Sequence, residues 1–113
     1  MALKTSTIEG NIAFVEPSGS LIGGEETVKL RQALSGFAER NYEKLLIDLG
    51  QVNYINSSGI GVLVAAHTSY SKKGWQIKLC GVNKSIDSIL VVTKLTLMFD
   101  VYDTREEAIM SFA

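Results

Sequence analysis

The stretch of this sequence best suited to chemistry sets two adjacent hydroxyls among glycines and apolar runs. It reads Asp48-Leu49-Gly50-Gln51-Val52-Asn53-Tyr54-Ile55-Asn56-Ser57-Ser58-Gly59-Ile60-Gly61, beginning as a buried strand and ending as the first turn of a helix. A helix N-terminus offers unpaired N–H groups and the positive end of the dipole, so a serine there can carry a phosphate without local electrostatic penalty. Gly59 and Gly61 each weaken the helix by about 1 kcal/mol relative to alanine. What they offer in return is lack of bulk, which lets another surface or loop approach the backbone. The same residues also suit plain capping, because Asn56 and Ser57 are ordinary N-cap types.

Catalytic readings of the segment fail on geometry. A serine nucleophile needs a base within hydrogen-bond reach. The only histidine, His67, lies about ten residues further along the same helix, roughly 15 Å away at the helical rise, and reads as a helix-face residue. No lysine follows the glycines as a P-loop requires, and position 64 is Val64 where a dinucleotide fingerprint needs a third glycine. The carboxylates form no recognisable motif. Cys80 is the single cysteine and sits in an apolar run, as a small buried hydrophobe would, and no Cys/His spacing suits a metal. No catalytic residue, cofactor or metal is expected.

Composition narrows the classes further. A chain of 113 residues, 46% hydrophobic and 20% charged, is expected to form one domain over 1–113 with a core that needs no disulfide. The net charge is −1 and the 11 Lys and Arg are spread along the chain, which argues against nucleic acid as partner. The longest apolar run, Val62 to Ala66, is far too short for a membrane span. Met1-Ala2-Leu3-Lys4-Thr5 lacks a signal-peptide pattern, so a cytoplasmic protein is expected.

The elements that must position the serines follow from periodicity. Leu3 to Ile8 and Asn11 to Glu16 read as a hairpin turning at Glu9-Gly10, ended by Pro17 and Gly19. From Glu25 the pattern is helical through Leu30, Leu34 and Phe37, with Gly36 weakening its second half. Lys44 to Leu49 reads as a buried strand, Asn53 to Asn56 as a connection, and Ser57 or Ser58 to about Lys73 as a helix with Ile60, Leu63, Val64, His67 and Tyr70 on one stripe. Trp75 to Cys80 reads as a strand with Gln76 and Lys78 opposite Ile77 and Leu79. Asn83 caps a third helix carrying Ile86, Ile89 and Leu90; Met98 to Tyr102 is a last strand; Thr104-Arg105-Glu106-Glu107 is a capping box for a helix to Phe112. This order predicts an α/β fold: a central, mostly parallel β-sheet of about five strands, an N-terminal hairpin and about four helices. Leu46, Ile47, Leu49, Leu63, Leu79, Ile86 and Leu90 are expected in the core.

Asn56-Ser57-Ser58-Gly59-Ile60-Gly61, following Leu45-Leu46-Ile47-Asp48-Leu49, resembles the signature of STAS-domain anti-sigma factor antagonists, in which an acidic residue precedes Ser, Ser or Thr, Gly, Leu or Ile, and Gly. Gly19-Ser20-Leu21, Lys94-Leu95 with Phe99, and the helix introduced by Tyr102-Asp103-Thr104 fit the same family. The resemblance implies an unphosphorylated form that binds an anti-sigma factor, itself a serine kinase, and so frees a sigma factor. Phosphorylation of one signature serine breaks that complex, and a metal-dependent serine phosphatase resets it. Carried over, the acceptor is Ser58, with Ser57 as the alternative. Ser58 is preferred because Ser57 is expected to be occupied as the cap. The partner surface is expected at Asn56, Ser57, Ser58, Gly59, Ile60 and Gly61, with Leu21, Ile22 and Gly23 beside them. Two positions depart from the pattern: Asn56 stands where the family has an acid, and Ile22 where it often has Asp. A second reading is a STAS scaffold or regulatory module in which the serines only cap and the glycines admit a nucleotide, a lipid or a neighbouring subunit.

Overall fold

The apolar alternation in the first sixteen residues and the continuous apolar run after Lys44 become neighbours in one sheet. A computed structural model describes residues 3–112; Met1, Ala2 and Ala113, the ends of the expected domain, lie outside the described residues. The elements run β1 (Lys4–Ile8), β2 (Ile12–Glu16), β3 (Ser18–Leu21), α1 (Glu25–Glu39), β4 (Lys44–Asp48), β5 (Gln51–Ile55), α2 (Ser57–Lys72), β6 (Gln76–Cys80), α3 (Lys84–Val92), a 3₁₀ turn at Leu95–Leu97, β7 (Asp100–Tyr102) and α4 (Arg105–Ser111). The main sheet has the order β1-β2-β4-β6-β7. The β1–β2 hairpin is antiparallel and every other pair is parallel. Asn11 belongs to the hairpin turn rather than the second strand, because it and Gly10 both take positive φ there (63° and 94°).

The parallel strands β2, β4, β6 and β7 are linked in turn through α1, α2 and α3, with β3 and β5 intervening before the first two helices. Leu30, Leu34 and Phe37 of α1, Leu63 and Tyr70 of α2 and Ile86 and Leu90 of α3 share one core with Ala13, Val15, Leu45, Ile47, Ile77 and Leu79. On the other face, Ala108 of α4 and Phe112 close over Ile12, Phe14, Leu46 and Cys80. Covered on both faces, β4 must be apolar throughout, which is why Leu45-Leu46-Ile47 shows no alternation. The seven residues expected in the core are all fully buried.

Other expectations need correction. The segment read as a connection, Asn53 to Asn56, is largely strand: β5 pairs in parallel with β3, a strand that local pattern does not reveal. Ser-Gly-Ser-Leu has little strand propensity, and only its long-range partner makes it extended. The expected strand from Met98 is shorter, since Leu95–Leu97 winds into a 3₁₀ turn and β7 begins at Asp100. Lys78 does not face solvent but is 5% exposed. Its Nζ donates to Ser111 Oγ at 2.8 Å and Ser111 O at 3.1 Å, and lies 4.8 Å from the Phe112 ring centroid. The ammonium thus answers the carbonyl end of α4, and its stem fills the second core.

Burial has a consequence at high pH. Desolvation pushes the Tyr70 hydroxyl from 10.0 up to about 12. It also pushes the Cys80 thiol from 9.0 up to about 12, with the Asp48 carboxylate adding to the rise. Between these ordinary values and about 12 the unfolded chain releases protons that the folded chain retains. The contribution of these two groups to stability is therefore complete below pH 9 and falls as pH rises towards 12, by at most about 1.4 kcal/mol per pH unit for each group. Urea midpoints at pH 8, 10 and 11 should decline in that order; a flat series would contradict the burial of these groups. Among the described residues no helix is long and apolar enough to cross a membrane.

Candidate functional site

β5 delivers the chain to Asn56, whose extended backbone (φ −114°, ψ −168°) makes it the N-cap of α2. Its Oδ1 accepts from Ser58 N at 2.9 Å and Gly59 N at 3.5 Å. The expected capping role of Ser57 is thereby corrected. Ser57 is already the first helical residue, and the longer Asn side chain one position earlier reaches the amides first. Ser57 and Ser58 are both exposed, and the Ser58 hydroxyl has no hydrogen-bond partner among the described residues. The first turn of α2 contains no acidic side chain, so its dipole is not offset locally.

Burial divides the expected partner surface. Leu21 is fully buried, and what it brings to the site is its carbonyl, which accepts from Asn56 N at 3.1 Å. Gly59 is buried too: a Cβ there would stand 2.6 Å from both Leu21 O and Ile55 Cγ1. The bulk that Gly59 excludes is that of this chain's own loop. Gly61 behaves differently: it is exposed, and a Cβ there would meet no atom within 4 Å. Ile22 is 50% exposed; Gly23 is exposed, while Asn56 and Ile60 are half-buried. Leu21 and Gly59 therefore shape the site from within, and the accessible surface is formed by Ile22, Gly23, Ser57, Ser58 and Gly61 with the edges of Asn56 and Ile60.

The loop between β3 and α1 lies directly against Ser58. Gly23 has φ +99°, and a Cβ there would approach Ser58 Oγ to 3.1 Å. Its N–H donates to Thr27 Oγ1 at 2.9 Å. Thr27 is fully buried and is not among the residues that the sequence pattern singles out. The available signal is a small hydroxyl one turn into a helix whose own N-cap, Gly24, has no side chain to offer. The exposure of Tyr54 and Val28 is likewise not legible in the pattern.

Asp48, at the start of the segment, has a structural task. Its carboxylate accepts from Gly50 N at 2.9 Å and Arg105 at 3.2 Å, and Arg105 also reaches Glu16 at 3.7 Å. Gly81, at φ +69°, leaves room for that carboxylate. His67 packs edge-on against Phe99 at 5.0 Å with Ser71 Oγ 3.4 Å from its Nε2, an arrangement that serves helix packing. No group of His, Cys, Asp and Glu among the described residues is arranged to hold a metal.

An α/β sheet with three helices on one face, one on the other and a serine-bearing helix N-terminus at the end of a short second sheet defines a STAS domain. The chain belongs to the STAS domain family, whose model matches residues 4–108. Several of its curated relatives carry anti-sigma factor antagonist names. The anti-sigma F factor antagonist of Paenibacillus polymyxa is 24% identical over 98 residues, 87% of this chain and 84% of that protein. A Thermotoga neapolitana protein provisionally named in the same way is 33% identical over 73 residues, and the match spans 65% of each chain. Among solved structures, a provisionally named anti-sigma factor antagonist of Thermotoga maritima superposes with a TM-score of 0.89 at 23% identity, covering 96% of this chain and 92% of that one. The Bacillus protein SpoIIAA shares the fold in its phosphorylated form at a TM-score of 0.79 and 14% identity, covering 99% of this chain and 100% of that one. Its unphosphorylated form gives 0.77 and 12%, covering 97% and 96%.

Proposed function

We propose that this chain is an anti-sigma factor antagonist whose unphosphorylated form binds an anti-sigma factor that is also a serine kinase, freeing a sigma factor. Phosphorylation of Ser58 turns it off, and a serine phosphatase restores it. The observation that carries the reading is the exposed Ser58 hydroxyl, unbonded, on a helix turn whose amide is already capped by Asn56. Kinase transfer would form an Oγ–P bond with the γ-phosphoryl of ATP, releasing ADP and the hydroxyl proton. Ser58 is preferred to Ser57 because it lies beside Gly23 of the exposed loop, so one modification alters both halves of the surface. The chain acts by binding and is assigned no turnover of its own.

The direct test is incubation with the anti-sigma factor kinase and ATP, read by intact mass. One phosphate is expected on the natural chain and on Ser57→Ala, and none on Ser58→Ala. Phosphate retained by Ser58→Ala, or absent from the natural chain, would refute the assignment. Gly61 supplies a separate check of the surface. Gly61→Leu fills open space and gains up to about 1 kcal/mol of helix propensity, so it should fold at least as stably while losing affinity for the anti-sigma factor. Full affinity would place the interface elsewhere.

A further inference from the structure

The acid expected before the serines is Asn56, and the geometry gives that difference a consequence. Asn56 N donates to Leu21 O at 3.1 Å, and its Nδ2 donates to Ile22 O at 3.4 Å. Oδ1 meanwhile accepts from Ser58 N and Gly59 N. One residue thus ties the loop after β3 to the first turn of α2. Beyond Ile22 the loop is held again, where Gly23 N donates to the buried Thr27 hydroxyl. Exposed Ile22 lies between these two attachments. A carboxylate at position 56 would keep the bonds that Oδ1 accepts, and as a helix cap it would serve as well. It has no N–H to give, so the bond to Ile22 would be replaced by two oxygens facing each other.

We infer that Asn56 is a positioning residue for partner recognition: its side-chain amide holds Ile22 beside Ser58, so that the partner meets an apolar side chain and the switch hydroxyl as one surface. This rests on the reading of the Ser58 turn as the binding site for an anti-sigma factor.

The test is Asn56→Asp in the full chain. In the free protein, amide protection factors at Gly23 and at residue 56 should fall about 3–10-fold, the value of one exposed hydrogen bond. Those at Ser58 and Gly59 should hold, and the melting temperature should stay within a few degrees. Unchanged protection at 23 and 56, or its loss at 58 and 59, would overturn the strap. With the anti-sigma factor present, Ile22→Ala should weaken binding several-fold when residue 56 is Asn and by clearly less when it is Asp. Additive effects would overturn the positioning role. Absence of binding by every variant would overturn the partner reading and this inference with it, while the exchange pattern would show whether the strap itself is real.

Discussion

Gly59→Val is expected to unfold this protein at temperatures where the natural chain is stable. The first added carbon would lie 2.6 Å from Leu21 O, 2.6 Å from Ile55 Cγ1 and 2.8 Å from Leu21 Cβ. None of these can give way cheaply. Leu21 and Ile55 are fully or almost fully buried, they face each other in the β3–β5 register, and the Leu21 carbonyl is held by Asn56 N. Overpacking a core commonly costs about 1–3 kcal/mol. Valine adds three carbons against a held backbone carbonyl and two buried side chains, so a loss at or above the top of that range is expected. Against a domain stability of about 5–15 kcal/mol, that lowers the melting temperature by roughly 10 °C or more. Chemical denaturation of Gly59→Val beside Gly61→Val reads the effect, since a Cβ at the second position meets no atom within 4 Å. Equal stability of the two variants would show that the loop does not seat on Gly59.

Ser58→Asp is expected to do the reverse: leave the fold alone and remove binding. A phosphate adds about −1.5 to −2 charges at pH 7, and aspartate supplies part of that. At a helix N-terminus a negative charge gains about 0.3–1 kcal/mol, too little to rebuild a domain of this stability. SpoIIAA keeps this fold in both its phosphorylated and unphosphorylated forms. Under the proposed reading the penalty falls at the interface, where desolvating an anion costs several kcal/mol and about 1.4 kcal/mol is tenfold in affinity. The expected result is a dissociation constant for the anti-sigma factor raised at least about tenfold, with a melting temperature within a few degrees of the natural chain. Titration calorimetry and a thermal melt on the same sample decide it. Undiminished binding, or a collapsed melting temperature, would defeat the mechanism.

Local pattern by itself determined the hairpin, the four helices, the mostly parallel class of the central sheet and the core residues expected in β4, α2, β6 and α3. The signals are helical periods of 3.6, the capping box before α4 and the unbroken apolar run of β4. It also located the serine turn, because Asn-Ser-Ser-Gly between a strand and a helix is a local signal. Tertiary structure decided the rest. Whether Ser57 or Asn56 caps α2 depends on how far the chain has turned when β5 ends, and β5 exists only through its pairing with β3. That Leu21 is core while its neighbour Ile22 is exposed, and that Gly59 receives this chain's own loop while Gly61 is open, depend on contacts across more than thirty positions of sequence. Lys78 looked solvent-facing because alternation predicts a polar face only where that face is uncovered, and α4, arriving from the far end of the chain, covers it.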